Sequence, residues 1–149
     1  MQYTYWNGGT SAATSYSVAA IAIDHSGNVW VADGGNDAVT KLSSSGTTIG
    51  TYTVGSFPHA IAIDSSGNVW VVNNGNGTPG TASGDSNVME LNSSGTTIGT
   101  YVAGSYPRAI AIDSFGDVWV ANWGSDTVTK FPGIATGPQY FPYSGPQYP

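Results

Sequence analysis

A short apolar run, a polar turn and a second apolar run recur along this chain. The clearest copy is "AIAIDSSGNVWVVN" at residues 60–73, and near-copies occupy residues 20–33 and 109–122. Runs such as "AIAI" and "VWVV", which are apolar at every position, predict short strands that are buried on both faces. The Asp and Gly between the runs predict a tight turn. Each copy is therefore predicted to begin with a β-hairpin.

The residues after each hairpin predict two further strands. Segments 38–42 ("AVTKL") and 87–91 ("NVMEL") have strand composition, and Gly-containing turns connect them to "TTIGTY" at residues 47–52 and 96–101. A complete repeat is therefore predicted to be a four-stranded antiparallel meander.

The spacing of the copies indicates how the sheets are arranged. The first interval is 40 residues, and the second is 49 because nine residues, 77–85, are inserted. A period of this size is typical of propellers and solenoids. A sheet that is apolar on both faces, in a chain without helices, is best covered by neighbouring copies of itself. We therefore predict an all-β fold, a β-propeller whose three blades are residues 20–59, 60–108 and an incomplete 109–131.

Repeated side chains are predicted to hold the blades together. Trp30, Trp70 and Trp119 lie on the second strand of each copy, where the space between blades widens, so we expect them to fill the core. The turn carboxylates are expected to accept backbone hydrogen bonds rather than to take part in catalysis, and these are Asp24, Asp64 and Asp113.

Two segments carry a resemblance to a known family. "FPHAIAIDSSGNVWVVNNGN" and "YPRAIAIDSFGDVWVANWGSD" resemble the NHL repeat, and they are similar also to blades of streptogramin (virginiamycin B) lyase and of gluconolactonase-like propellers. The resemblance extends from residue 20 to about residue 131. It implies a ring of six blades, of which this chain encodes three.

The N-terminal segment bears on how such a ring would close. Residues 1–19 precede the first blade, and within them residues 2–6 alternate polar and aromatic side chains as an edge strand does. The third copy has no counterpart of "TTIGTY", so its fourth strand is predicted to be missing. Three blades are too few for a ring, so the chain is half of a ring completed by a second copy, a fragment of a longer propeller, or a unit of an open assembly. We expect two copies to exchange the N-terminal strand in a closed homodimer. The side chains assigned to this contact are Tyr3, Tyr5 and Trp6.

The C-terminal tail, residues 132–149, contains "GPQY" twice. Proline at this density prevents a central strand and favours extended backbone. One interpretation is a tail that follows the surface or stays disordered. The other is an arm that docks on a neighbouring subunit through Tyr140, Phe141, Tyr143 and Tyr148.

Composition narrows the classes of partner. Charged residues make up 8% of the chain and the net charge is −6, with Lys41, Arg108 and Lys130 as the strong bases. Three scattered cations form no phosphate-binding stripe, so no nucleic-acid partner is predicted. No apolar run approaches the length of a membrane span. A chain rich in Ser, Thr and Asn and poor in Lys and Glu indicates an extracellular or cell-envelope protein of a bacterium or archaeon.

Candidate binding chemistry lies on the rim where the copies differ. The position before "AIAID" is His59 in the second copy and Arg108 in the third, and both are expected near the central channel. Variation on a constant scaffold is typical of a binding site. We predict a pocket for a small polar or glycan ligand, with solvation of the rim as the alternative, and its residues are His59, Arg108, Asp33, Asn73, Asn122 and Trp123.

An enzymatic role has less support in the sequence. The resemblance to streptogramin lyase implies a His base with Mg²⁺, and the gluconolactonase-like propellers imply a metal held by Glu, Asn and Asp. Glu90 is the sole Glu and lies on a third strand, away from the predicted channel. Asp33 and Asn73 could bind Ca²⁺ or Mg²⁺ but are too few ligands. We therefore predict no catalytic residues, no metal ligands and no obligate cofactor, and we keep a metal-dependent lyase or lactonase, active as a dimer, as the alternative.

Overall fold

The computed structural model describes residues 18–75 and 86–133, together with the backbone of residues 143–144. These described residues form twelve strands in three antiparallel sheets of four strands each, which confirms an all-β fold with three propeller blades. The strands are β1 (Ala20–Ile23), β2 (Val29–Asp33), β3 (Ala38–Leu42), β4 (Thr48–Thr53), β5 (Pro58–Ile63), β6 (Val69–Asn73), β7 (Asn87–Leu91), β8 (Thr97–Val102), β9 (Pro107–Ile112), β10 (Val118–Asn122), β11 (Thr127–Phe131) and β12 (Tyr143–Ser144).

Each blade is a meander in which strands pair in chain order. Blade 1 contains β1 to β4, blade 2 contains β5 to β8, and blade 3 contains β9 to β12. The blades approach one another through their first strands, because β5 contacts both β1 and β9. The first strands are therefore the innermost ones, as in a propeller.

Two apolar clusters join the three blades. Trp30 of blade 1 is fully buried among Ile61, Val69 and Leu91 of blade 2, and its ring stacks on Tyr52 at a centroid distance of 5.6 Å. The second cluster repeats this arrangement between blades 2 and 3, where Trp70 stacks on Tyr101 at 5.4 Å and packs with Val118, Val120 and Phe131. The expected core role of the Trp residues is confirmed for Trp30 and Trp70.

The turn between the first two strands of each blade is fixed by its aspartate. Oδ1 of Asp64 accepts hydrogen bonds from the backbone N–H groups of Ser66 and Asn68, both at 2.9 Å. Gly67 has φ of +84°, the left-handed conformation that glycine adopts without strain. Asp24 and Asp113 make the equivalent bonds in their own blades, so the predicted structural role of the three carboxylates is confirmed.

The edge of blade 3 differs from the sequence expectation. We expected no fourth strand there, but β12 pairs antiparallel with β11, with Ser144 opposite Thr127 and Tyr143 opposite Val128. The same chain's tail therefore supplies this edge, and Tyr143 lies on its own blade rather than on a neighbouring subunit. The expectation was wrong because a tail with Pro on both sides of "YS" still contains a short segment that can pair.

Several predicted features lie outside the described residues. These are the N-terminal strand with Tyr3, Tyr5 and Trp6, the insertion at residues 77–85, and Tyr140, Phe141 and Tyr148 of the tail. Within the part of the chain that the structure describes, no helix has the length and apolarity to cross a membrane.

Candidate functional site

The propeller has two rims with different construction. The turn rim contains the Asp-x-x-Gly turns and the connections between third and fourth strands. The linker rim contains the connections between blades, residues 54–57 and 103–106, and the hairpins between second and third strands. The linkers are tied to the next blade, because the N–H groups of Asn74 and Trp123 donate to the carbonyls of Phe57 and Tyr106 at 2.9 Å.

Arg108 and Trp123 come together on the linker rim, as predicted. The guanidinium carbon of Arg108 lies 4.3 Å from the centre of the Trp123 ring, and the Tyr106 ring meets the same indole edge-on at 6.1 Å. Trp123 remains 53% exposed. Arg108 and Trp123 border a cleft of about 460 Å³ on blade 3. An aromatic ring held between an arginine and a tyrosine is a rigid surface on which a flat or cationic group can stack.

His59 lies at the start of β5 on the same rim, at the position that Arg108 occupies in β9. Its side chain keeps solvent contact, but the protein around it desolvates part of the ring and this lowers its pKa. The positive charge of Arg108 lowers the pKa further. The histidine is therefore held towards its neutral form.

Asp33, Asn73 and Asn122 are buried side chains on this rim, and Asn122 lines the cleft together with Arg108 and Trp123. They are 2%, 0% and 2% exposed. Asp33 accepts bonds from the Gly35 N–H and from Asn36 Nδ2, and Asn122 accepts from the Gly104 N–H at 3.1 Å. These groups close the hairpin ends and anchor the linkers. The part of the predicted pocket that solvent reaches is formed by His59, Arg108 and Trp123, and binding of a polar or glycan ligand there stays a prediction.

The described residues contain no preformed cluster of metal-binding side chains. Within ranges 18–75 and 86–133, no three side chains of His, Cys, Asp or Glu lie together in a way that could hold an ion. Asp33, suggested above as a Ca²⁺ ligand, has both carboxylate oxygens engaged in hydrogen bonds. Cofactor binding and the lyase or lactonase alternative stay predictions.

The two ends of the blade row are the largest departure from a closed propeller. We call the face that a blade turns towards the next blade its trailing face, and the opposite one its leading face. The trailing face of blade 3 exposes Ala109, Ala111, Trp119 and Ala121, and Trp119 is 38% exposed. The leading face of blade 1 exposes Ile21 and Ile23, at 63% and 66%. At the two blade junctions within the chain, a neighbouring blade packs against the corresponding positions.

One charged position on the third strand was not predicted to contact the core Trp. The residue opposite the core Trp is Lys41 in blade 1, Glu90 in blade 2 and Lys130 in blade 3. Lys41 lies 4.7 Å from the centre of the Trp30 ring and 3.5 Å from Oδ2 of Asp24. The signal was present in the sequence as a charge reversal at one position of the repeat.

The fold defines this chain as a β-propeller protein. Among solved structures, it is similar to a catalytically inactive virginiamycin B lyase from Staphylococcus aureus in complex with quinupristin, at 16% identity and a TM-score of 0.72 over 95% of this chain. It is also similar to a streptogramin B lyase, at 22% identity and 0.67 over 85%, and to hydrazine synthase from Kuenenia stuttgartiensis, at 18% and 0.69 over 86%.

The chain spans less than half of these proteins, namely 45%, 40% and 36% of their respective lengths. Identities this low establish the fold and not the activity. No protein-family model matches the sequence, and no curated protein matches it significantly. Membership of the NHL-repeat family therefore stays a prediction.

Proposed function

We propose that this protein is a non-enzymatic, self-assembling β-propeller in which two chains close one ring of six blades. We place it outside the cell or in the cell envelope, as the composition suggests, with ligand binding at the linker rim. The observation that carries the proposal is the 38% exposure of Trp119, whose counterparts Trp30 and Trp70 are 0% and 8% exposed.

The trailing face of blade 3 has the chemistry of an interior blade junction. Ala121 corresponds to Ala32 and Val72, which are both fully buried against the following blade. A large exposed indole surrounded by alanines is apolar surface that a soluble protein normally covers. The shape of this face, with small residues around one Trp, is the shape that blade 1 presents to blade 2.

The leading face of blade 1 offers the complementary surface. Ile21 is 63% exposed, whereas its counterpart Ile61 is 9% exposed in the junction with blade 1. Val31 and Leu42 on the same face are already buried, at 4% and 6%, so the open part lies on the innermost strand. Blade 3 of one copy can therefore pack on the exposed innermost strand of blade 1 of another, with its Trp face against Ile21 and Ile23.

Two-fold symmetry between two chains would close the ring of blades. Propellers typically close with four to eight blades. Two chains of three blades, each packing its trailing face on the other's leading face, give two identical junctions and a ring of six. A dimer built in this way leaves no end face exposed.

A charge placed in this junction is expected to separate the two chains. The substitution Ala121→Arg puts a guanidinium where the proposal buries an alanine against the other chain, and an unpaired buried charge costs several kcal/mol. We expect the association constant to fall by at least about 100-fold, or about 2.7 kcal/mol. Sedimentation velocity should show a folded monomer of 15.3 kDa for this variant.

Val102→Arg is the matched control, because Val102 is a strand residue on blade 2 that is 78% exposed and lies on neither end face. This variant should keep the dimeric mass of the natural sequence. Equal association of Ala121→Arg and Val102→Arg would contradict the proposed junction. Circular dichroism of both variants checks that the β-fold is retained.

A further inference from the structure

The turn rim contains a second cleft, between blades 2 and 3. It has a volume of about 480 Å³, and its walls combine aromatic rings with carboxylates. We call it the blade 2–3 cleft. The side chains that the argument uses are Asp64, Trp70, Glu90, Tyr101 and Phe115.

Two carboxylates lie side by side in this cleft. Nδ2 of Asn68 donates to Oδ2 of Asp64 and to Oε1 of Glu90, at 3.1 Å each, so one amide joins the two groups. The hydroxyl of Tyr101 donates to the other oxygen of Glu90 at 2.8 Å. Burial raises the pKa of Glu90, and the nearby charge of Asp64 adds to this rise, while the bond from Tyr101 opposes it. Adjacent negative charges of this kind favour a cation beside them.

The other two blades show which cation fits this place. In blade 1 the ammonium of Lys41 lies over the Trp30 ring, 3.5 Å from Oδ2 of Asp24, and it donates to the carbonyl of Ser93 in blade 2 at 2.9 Å. In blade 3 the ammonium of Lys130 lies 5.0 Å from the centre of the Trp119 ring and pairs with Asp117. An ammonium between an indole face and a turn carboxylate is thus the repeated arrangement.

Blade 2 retains the partners of that ammonium but lacks the lysine. Trp70 and Asp64 correspond to Trp30 and Asp24, and the indole N–H of Trp70 donates to Asp64 at 3.1 Å as in blade 1. Glu90 replaces the lysine and adds a second negative charge. The chain has three Lys and Arg residues in total. All three are engaged elsewhere, namely Lys41 with Asp24, Lys130 with Asp117 and Arg108 with Trp123.

We propose that the blade 2–3 cleft binds a primary ammonium group on an aliphatic chain, with the ammonium beside the carboxylates of Asp64 and Glu90 and the chain against the aromatic wall. The ammonium comes from a free alkylamine or from a lysine side chain of another protein. Phe115, 86% exposed at the mouth of the cleft, extends the apolar wall along which the methylene groups would lie. The cleft lies within one chain and away from the end faces, so this proposal is independent of ring closure.

Titration of the full chain with n-pentylamine, followed by the indole N–H signals in NMR, tests the proposal. We expect Trp70 to shift progressively while Trp123, on the opposite rim, stays in place. The uncharged analogue n-pentanol should leave Trp70 unchanged. An acetylated and amidated Gly-Lys-Gly peptide separates the two sources, because tighter binding of the peptide indicates a protein lysine and tighter binding of the amine a free ligand.

Two substitutions of Glu90 test whether its negative charge is needed for amine binding. Glu90→Gln removes one charge and keeps the shape, so it should weaken amine binding by at least about tenfold. Glu90→Lys restores the arrangement of blades 1 and 3, so it should abolish amine binding and raise the melting temperature. An equal response to n-pentanol, an undiminished affinity in Glu90→Gln, or a response to MgCl₂ but not to the amine would overturn the proposal.

Discussion

Replacing Trp30 with alanine is expected to lower the free energy of unfolding by about 4 kcal/mol, since removal of a large buried aromatic side chain typically costs 3–5 kcal/mol. Trp30 has no exposed surface, it stacks on Tyr52, and it packs against residues from two blades. Its loss leaves a cavity between stiff sheets that have little freedom to collapse. Urea unfolding followed by circular dichroism measures the change.

Trp119→Ala is the matched comparison, because Trp119 has the same place in blade 3 but is 38% exposed. In the Ala121→Arg background, where we expect monomers, Trp119→Ala should cost clearly less than Trp30→Ala does. In the natural background it should instead weaken association. Equal losses of stability at the two positions in the monomer would show that the environments of Trp30 and Trp119 are alike, contrary to the structure.

Replacing Asp24 with alanine is expected to lower the free energy of unfolding by about 3 kcal/mol, because it leaves several donors without their acceptor and removes the negative charge that pairs with a buried ammonium. The carboxylate accepts from two backbone N–H groups, from Asn28 Nδ2 and from the indole N–H of buried Trp30. It also pairs with Lys41. These bonds outweigh the effect of burial and hold the pKa of Asp24 well below its usual value.

Asp24→Asn gives the internal control for this prediction. Its amide oxygen can still accept from the backbone, but its NH₂ group would face the indole N–H and the ammonium, so an intermediate loss is expected. Asp113→Ala should cost less, because Asp113 accepts from two backbone N–H groups and from the indole of Trp119, which is 38% exposed. Thermal unfolding at neutral pH compares the three variants, and a loss for Asp113→Ala as large as for Asp24→Ala would contradict this explanation.

The sequence was sufficient to predict the architecture because the information is local and repeated. Apolar runs around an Asp-x-x-Gly turn specify a hairpin, and three copies at a nearly constant spacing specify three blades. The buried Trp70 and the positive φ of Gly67 follow from the same local pattern. Such features need no knowledge of what lies across the fold.

The candidate site was harder to predict because it depends on contacts between distant segments. The burial of Asn122 was not predicted, because its side chain accepts a hydrogen bond from the linker N–H of Gly104, 18 positions earlier. The proximity of the Glu90 and Asp64 carboxylates in blade 2 was not predicted either, because it depends on one amide that contacts residues from two separate segments. The pairing of Tyr143 with β11 joins segments that are separated by residues of low strand propensity.

The end faces and the blade 2–3 cleft have a common physical origin. Each is a place where one copy of the repeat lacks a partner that the other copies have: a neighbouring blade in the first case, an ammonium group in the second. Comparison of the three copies is therefore the basis of both proposals, since the blades that have the partner indicate what the remaining blade would bind.

The mass of the unmodified chain in solution, measured by sedimentation equilibrium over a wide range of protein concentration, tests ring closure most directly. The proposed six-bladed ring predicts a species of twice 15.3 kDa. A folded species of 15.3 kDa at every concentration, or growth beyond two chains, would contradict it.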